Sequence, residues 1–158
     1  MKSVQISLKT AQKLYPKASE EFKALLEENF SKSELSTKIT DRIKSYEDAC
    51  EETGETPIDE QALLKAGLLK HEIVGRKLAT ITRALNQDWV LDWANENQKK
   101  WLPWFRMASS RFAFGVTIYL CALALAGYAS RLCFKSEELA RYAGETFTDL
   151  YNDYLLGQ

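Results

Sequence analysis

Phosphate-cradling glycine loops are missing from this 158-residue chain: its seven glycines stand singly, so neither a Walker-type loop nor a dinucleotide fingerprint is present. Nucleotide hydrolysis has no visible apparatus. Histidine is scarcer still, with His71 alone, and Cys50, Cys121 and Cys133 form no CxxC pair, which leaves no zinc spacing to recognise. The stretch "DWANENQ" lacks the central glycine and closing glutamate of a calcium loop. Ser/His or Cys/His catalysis has only His71 to draw on, and among the many Asp and Glu residues nothing selects a pair for hydrolysis. No catalytic residue, cofactor or metal is therefore expected. An odd number of cysteines set among apolar neighbours reads as reduced thiols in a cytosolic protein, and "MKSVQISLKTAQ" has no apolar signal-peptide core. A net charge of −1 provides no general attraction for nucleic acid or anionic lipid, which leaves only local basic patches.

What the chain does have is helix punctuation. Ser7 is placed to cap a helix carrying Leu8, Ala11 and Leu14, which Pro16 cuts short. Ser19 caps the next, with Glu20 and Glu21 at the positive end of its dipole and Phe22, Leu25, Leu26 and Phe30 facing inward. Ser45 and Asp48 have capping-box spacing and Gly54 supplies the stop. From Ser45 to Leu64 there are seven acidic residues and no basic one, which reads as a solvated surface with helix N-terminal charges; the sharper reading is a docking face for a basic partner or a cation. The longest helix is expected from about Gln61 to Leu85, with Leu64, Leu68, Val74, Leu78, Ile81 and Leu85 in one stripe and His71 as its packed, hydrogen-bonded member. Trp89 and Trp93 then suit a further helical turn. Ser136, followed by Glu137 and Glu138, opens a C-terminal helix lined by Leu139, Ala143, Phe147, Leu150 and Tyr154 and closed by Gly157.

Between Arg111 and Arg131 lie nineteen uncharged residues, "FAFGVTIYLCALALAGYAS". The length just suffices for a membrane span, but Gly, Ala, Thr, Cys and Tyr dilute it and arginines flank both ends without bias. Phe112, Phe114, Val116, Ile118 and Leu120 occupy alternate positions, as do Tyr128, Ser130, Leu132 and Phe134, which is strand periodicity. The favoured reading is a hairpin that reverses within "CALALAG", against the alternatives of a buried helix or a membrane span. "KWLPWF" supplies a third, preceding strand, with Pro103 implying an edge or a bulge.

The segment "KKWLPWFRMASSR" mixes Trp101, Trp104 and Phe105 with Lys99, Lys100, Arg106 and Arg111. Such a mixture stacks bases while contacting phosphate; it equally describes a core strand with basic flanks. The apolar tip, with Leu123 and Leu125, is a candidate contact patch if exposed.

"DRIKSYEDACEETG", "RALNQDW", "WLPWF" and "SRLCFKSEELARYAGETFTDLYNDYL" resemble recurring segments of a family of small uncharacterised proteins encoded by phages and mobile elements of gut anaerobic bacteria. The resemblance covers most of the chain and brings no activity or catalytic residue with it. Relatives carry a polar stretch opposite Val116 to Ala129, which implies an exposed hairpin and makes the apolar tip of this chain the departure. The expectation is one α+β domain over 1–158: a mainly helical layer over 1–98, a small antiparallel sheet over 99–135 and a C-terminal helix over 136–156 packed on it. The expected role is a non-enzymatic accessory protein in the cytoplasm of the bacterial host cell, binding a protein partner such as a host factor. The alternative is nucleic-acid binding through residues 99–111.

Overall fold

The computed structural model describes residues 6–121 and 131–157, and it has the expected α+β arrangement. The contacts cluster into two compact units, Met1–Arg42 and Ile43–Gln158, where the sequence reads as one domain.

The first unit contains α1 (Leu8–Leu14), followed by a 3₁₀ turn over Tyr15–Lys17, then α2 (Glu20–Glu27), α3 (Lys32–Leu35) and α4 (Ile39–Arg42). Ser7 and Ser19 cap as expected: each hydroxyl accepts from the backbone N–H three residues on. Ser31 and Glu34 form a capping box, and the Ser31 hydroxyl and N–H together hold the Glu34 carboxyl below the usual carboxylate range. Ala11, Leu26 and Leu35 make the small core of this unit, with Phe22 and Phe30 against it.

In the second unit, α5 (Tyr46–Thr53) carries the Ser45/Asp48 capping box and ends at Gly54 in the left-handed region, φ 71°. Tyr46 is buried, its hydroxyl accepts from the Ile58 N–H at 3.0 Å, and burial pushes its phenol up to about 12. The single helix expected over 61–85 is instead two, α6 (Glu60–Lys65) and α7 (Lys70–Asn86). Gly67 adopts φ 91°, a conformation that L side chains rarely hold, and the chain breaks there. Val74, Leu78, Ile81 and Leu85 form the buried stripe of α7, whereas Leu64, on the far side of the break, is exposed and His71 is only half-buried. The acidic run is largely used within the fold. Asp48 and Asp59 cap helices, Glu55 pairs with Arg83, and Glu60 pairs with Lys77. Trp89 and Trp93 follow in irregular chain, not in a helical turn.

The sheet corrects the expected hairpin. Strand β1 (Lys100–Ala108) pairs antiparallel with β2 (Arg111–Leu120), so "KWLPWF" is half of the hairpin and the reversal lies at Ser109–Ser110. Ser109 takes φ 58° and is the first of two turn residues, a place that usually calls for glycine. The segment around Phe134 joins the opposite edge of β1: Trp101 and Phe134 exchange backbone hydrogen bonds of 2.9 and 2.7 Å. Pro103 has the same edge-facing parity as Trp101, so its missing N–H costs no bond to β2. Gly115 is left unpaired between Val116 and Phe114, opposite the Trp104/Phe105 step, and forms the bulge. Most of "CALALAG", with Leu123 and Leu125, lies outside the described residues, as do Tyr128 and Ser130. Among the described residues no helix is long and apolar enough to cross a membrane.

The expected C-terminal helix is α8 (Glu137–Thr146) and α9 (Thr148–Leu156), parted at Phe147. Ser136 and Gly157 act at the two ends as expected. Both helices pack on the hairpin, and α9 also packs on α7. Gly144 of α8 makes the closest approach: a Cβ there would stand 2.4 Å from Phe114 Cδ2 and 2.9 Å from Pro103 Cβ. Two buried asparagines tie helix to sheet. Asn152 of α9 accepts from the Phe112 N–H at 2.7 Å and donates to its C=O at 2.8 Å, which satisfies an outward-facing stretch of β2. Asn86, the last residue of α7, does the same around Phe134, donating to Cys133 C=O at 2.8 Å and accepting from Lys135 N–H at 2.9 Å.

Candidate hairpin interface

Strand alternation sorts the hairpin into two faces. Trp101, Pro103, Phe105 and Met107 share one face with Tyr119, Thr117, Phe114 and Phe112. This face meets the C-terminal helices: the Phe105 ring lies 4.8 Å from that of Tyr151, and the Thr117 hydroxyl donates to Glu137 at 3.0 Å. Lys100, Leu102, Trp104, Arg106 and Ala108 share the other face with Leu120, Ile118, Val116, Ala113 and Arg111.

The second face is half covered. Leu102, with Ile118 and Leu120, packs against Trp89, Leu91 and Trp93 of the segment that follows α7. Beyond Leu102 the cover stops. Trp104 is 48% exposed and its cross-strand partner Val116 42% exposed, while Arg106, Ala108, Arg111 and Ala113 surround them in solvent. The patch is thus an indole and an isopropyl group side by side, with Arg106 beside them on the turn side. Arg111 donates to the exposed Asp149 at 2.9 Å, a pair that solvent weakens.

The candidate residues from the sequence therefore do not form one cluster. Trp104 and Arg106 share the open face, and Arg111, on that face by register, turns its guanidinium to Asp149 of α9, whereas Trp101 and Phe105 point to the other face. The Trp101 and Tyr119 rings meet at a tilt with centres 5.0 Å apart, and the Lys99 ammonium lies 4.5 Å from the Tyr119 ring centre. Lys100 is fully buried: its Nζ donates to the Asn95 C=O at 3.2 Å and lies 5.2 Å from the Trp93 ring, so it cannot reach a phosphate backbone. Sequence reasoning missed Lys100 as an interior residue. It also missed Asn86 and Asn152, whose only signal is a polar amide on the inward side of an apolar helix.

Cys50, Cys121 and Cys133 are free thiols. Burial pushes the Cys133 thiol up, against the opposing pull of the Lys100 ammonium, so this sulfur is a packed group and a poor nucleophile. No group of His, Cys, Asp and Glu suited to a metal ion occurs among the described residues. Comparison with known proteins finds no family model, no curated protein and no solved structure that matches this chain.

Proposed function

We propose that the chain is a non-enzymatic accessory protein, of the phage or mobile-element kind its sequence resembles, that acts by binding a protein partner in the bacterial cytoplasm. The observation that carries the reading is the open half of the hairpin, where Trp104 and Val116 lie half-exposed side by side, with Arg106 next along the same face toward the turn. Tryptophan and arginine are the residues that most often dominate binding energy at protein interfaces, because a flat apolar group and a planar cation both gain from water-excluded contact. The rigid support behind them, helices on one face and an aromatic segment on part of the other, keeps the cost of ordering the interface low.

A second reading has its own observation. Trp104, Arg106 and Arg111 on one exposed face match the stacking-plus-cation pattern of single-strand binding. Two measurements separate the readings. Tagged full-length protein recovered from a carrying cell should bring down one protein in stoichiometric amount, and Trp104→Ala should release it; a bare chain in both preparations contradicts the first reading. Single-stranded DNA or RNA should show no binding even at low salt; strongly salt-dependent binding that Trp104→Ala weakens replaces the protein partner with a nucleic acid.

A further inference from the structure

We infer that the cavity at the C-terminal end of α7 is a binding site for a small aromatic oxyanion, a planar ring carrying a carboxylate or phosphate. The cavity measures about 280 Å³ and is walled by Thr82, Arg83 and Gln87 of α7 and its end, by Trp89 and Leu91 beyond it, and by Arg131 and Cys133. An indole, a leucine and a thiol beside a few convergent polar groups are the usual lining of a small-molecule site, and the volume is at the small end of that class.

Charge selects the ligand. Two guanidinium groups line the cavity and one ammonium flanks it. Arg83 is paired with Glu55. Lys135 donates to the Asn86 C=O at 3.1 Å and to Gln87 Oε1 at 3.2 Å, neither of them anionic. Arg131 is exposed and has no partner among the described residues. Of the two guanidinium groups in the wall, one is thus paired with Glu55 and the other is open to an oxyanion, which a guanidinium meets with two parallel hydrogen bonds. The negative end of the α7 dipole does not oppose this, because the Asn86 C=O is already bonded to the Lys135 ammonium and to the Trp89 N–H.

Two further features lie in the cavity wall. Thr82 is 3% exposed, and its hydroxyl is the buried side-chain polar atom without a hydrogen-bond partner among the described residues. An unmet buried hydroxyl is costly, and a valine would fill the same space without that cost. Gln87 adopts φ 53° and ψ −128°, a strained region for a residue with a side chain; its Oε1 is held by Lys135, which leaves the amide Nε2 as a donor. The Gln87 amide and the Arg131 guanidinium together can satisfy the oxygens of a carboxylate or phosphate whose ring lies on the Trp89 side.

The test is calorimetric titration of the full chain with benzoate and with phenyl phosphate, and with neutral benzamide as the comparison. At least one anion should bind with one-to-one stoichiometry and at least about tenfold more tightly than benzamide. A preference between the two identifies the oxyanion. Arg131→Ala should weaken binding about tenfold or more with the melting temperature unchanged. Absence of saturable binding up to about 10 mM of either anion overturns the inference. So does equal binding of benzamide, or binding that Arg131→Ala leaves intact.

Discussion

Asn86→Leu should destabilise the second unit by about 3 kcal/mol, because it strips hydrogen bonds from two backbone groups that have no other partner at that place. The side chain is 6% exposed and joins the end of α7 to both residues that flank Phe134, so Cys133 C=O and Lys135 N–H are orphaned together. Each unmet buried group costs about 1–3 kcal/mol, and the apolar transfer energy of leucine returns only part of the sum. Asn86→Asp keeps the acceptor for Lys135 and loses the donor to Cys133, so it should fall between wild type and leucine. Denaturant melts followed by tryptophan fluorescence measure the loss. Hydrogen exchange should place it at the amides of Trp101, Phe134 and Lys135. A loss below about 1 kcal/mol for leucine would show that water or a small shift of chain replaces the bracket.

Gly144→Leu should cost about 3 kcal/mol or more, the upper end of what overpacking does. A β-carbon alone would stand 2.4 and 2.8 Å from two atoms of the Phe114 ring and 2.9 Å from Pro103, so α8 cannot keep its place on the sheet. Gly144→Ala carries the same clash but gains about 1 kcal/mol of helix propensity, and its net cost should be smaller, about 1–2 kcal/mol. Gly75→Ala is the contrast. There the added carbon meets only the edge of the Tyr154 ring, at 3.0 Å, and a partly exposed ring can give way, so stability should be unchanged or improved. Thermal melts of the three variants check the order. If Gly144→Ala proves as benign as Gly75→Ala, the close approach of α8 to the hairpin is wrong.

These effects fall at places where the sequence was least explicit. Helix starts were legible because each depends on a short local pattern: Ser7, Ser19, Ser45 and Ser136 all cap as their spacing implies. The α7 stripe from Val74 to Leu85 was legible for the same reason, a fixed period. The hairpin was not, because its reversal is Ser109–Ser110, which has none of the Asn-Gly or Asp-Gly chemistry that marks a tight turn, while a proline inside β1 argues against a central strand. The two strands carried the alternation; which strands pair is a long-range matter that no local period records. The period also failed at Gly67 and Phe147, where an apolar stripe continues in sequence but the helix does not.

Of the candidate site, the residue types were legible and their grouping was not. Alternation places Trp104 and Arg106 on one face and Trp101 and Phe105 on the other, yet only the correct pairing adds Val116 and Arg111 to the first. Lys100 read as a basic flank, whereas the aromatic segment from Trp89 to Trp93 closes over it. A lysine stem is long and apolar enough to be buried when its ammonium finds a carbonyl and an aromatic ring.

The central claim, that the open half of the hairpin is where a protein partner sits, is tested most directly by a photoreactive amino acid placed at Val116 of the full chain in the carrying cell. Val90, 77% exposed and outside the hairpin, serves as the comparison site. The account predicts a single covalent protein adduct from position 116 and none from position 90. No adduct from position 116, or the same adduct from both positions, would contradict it.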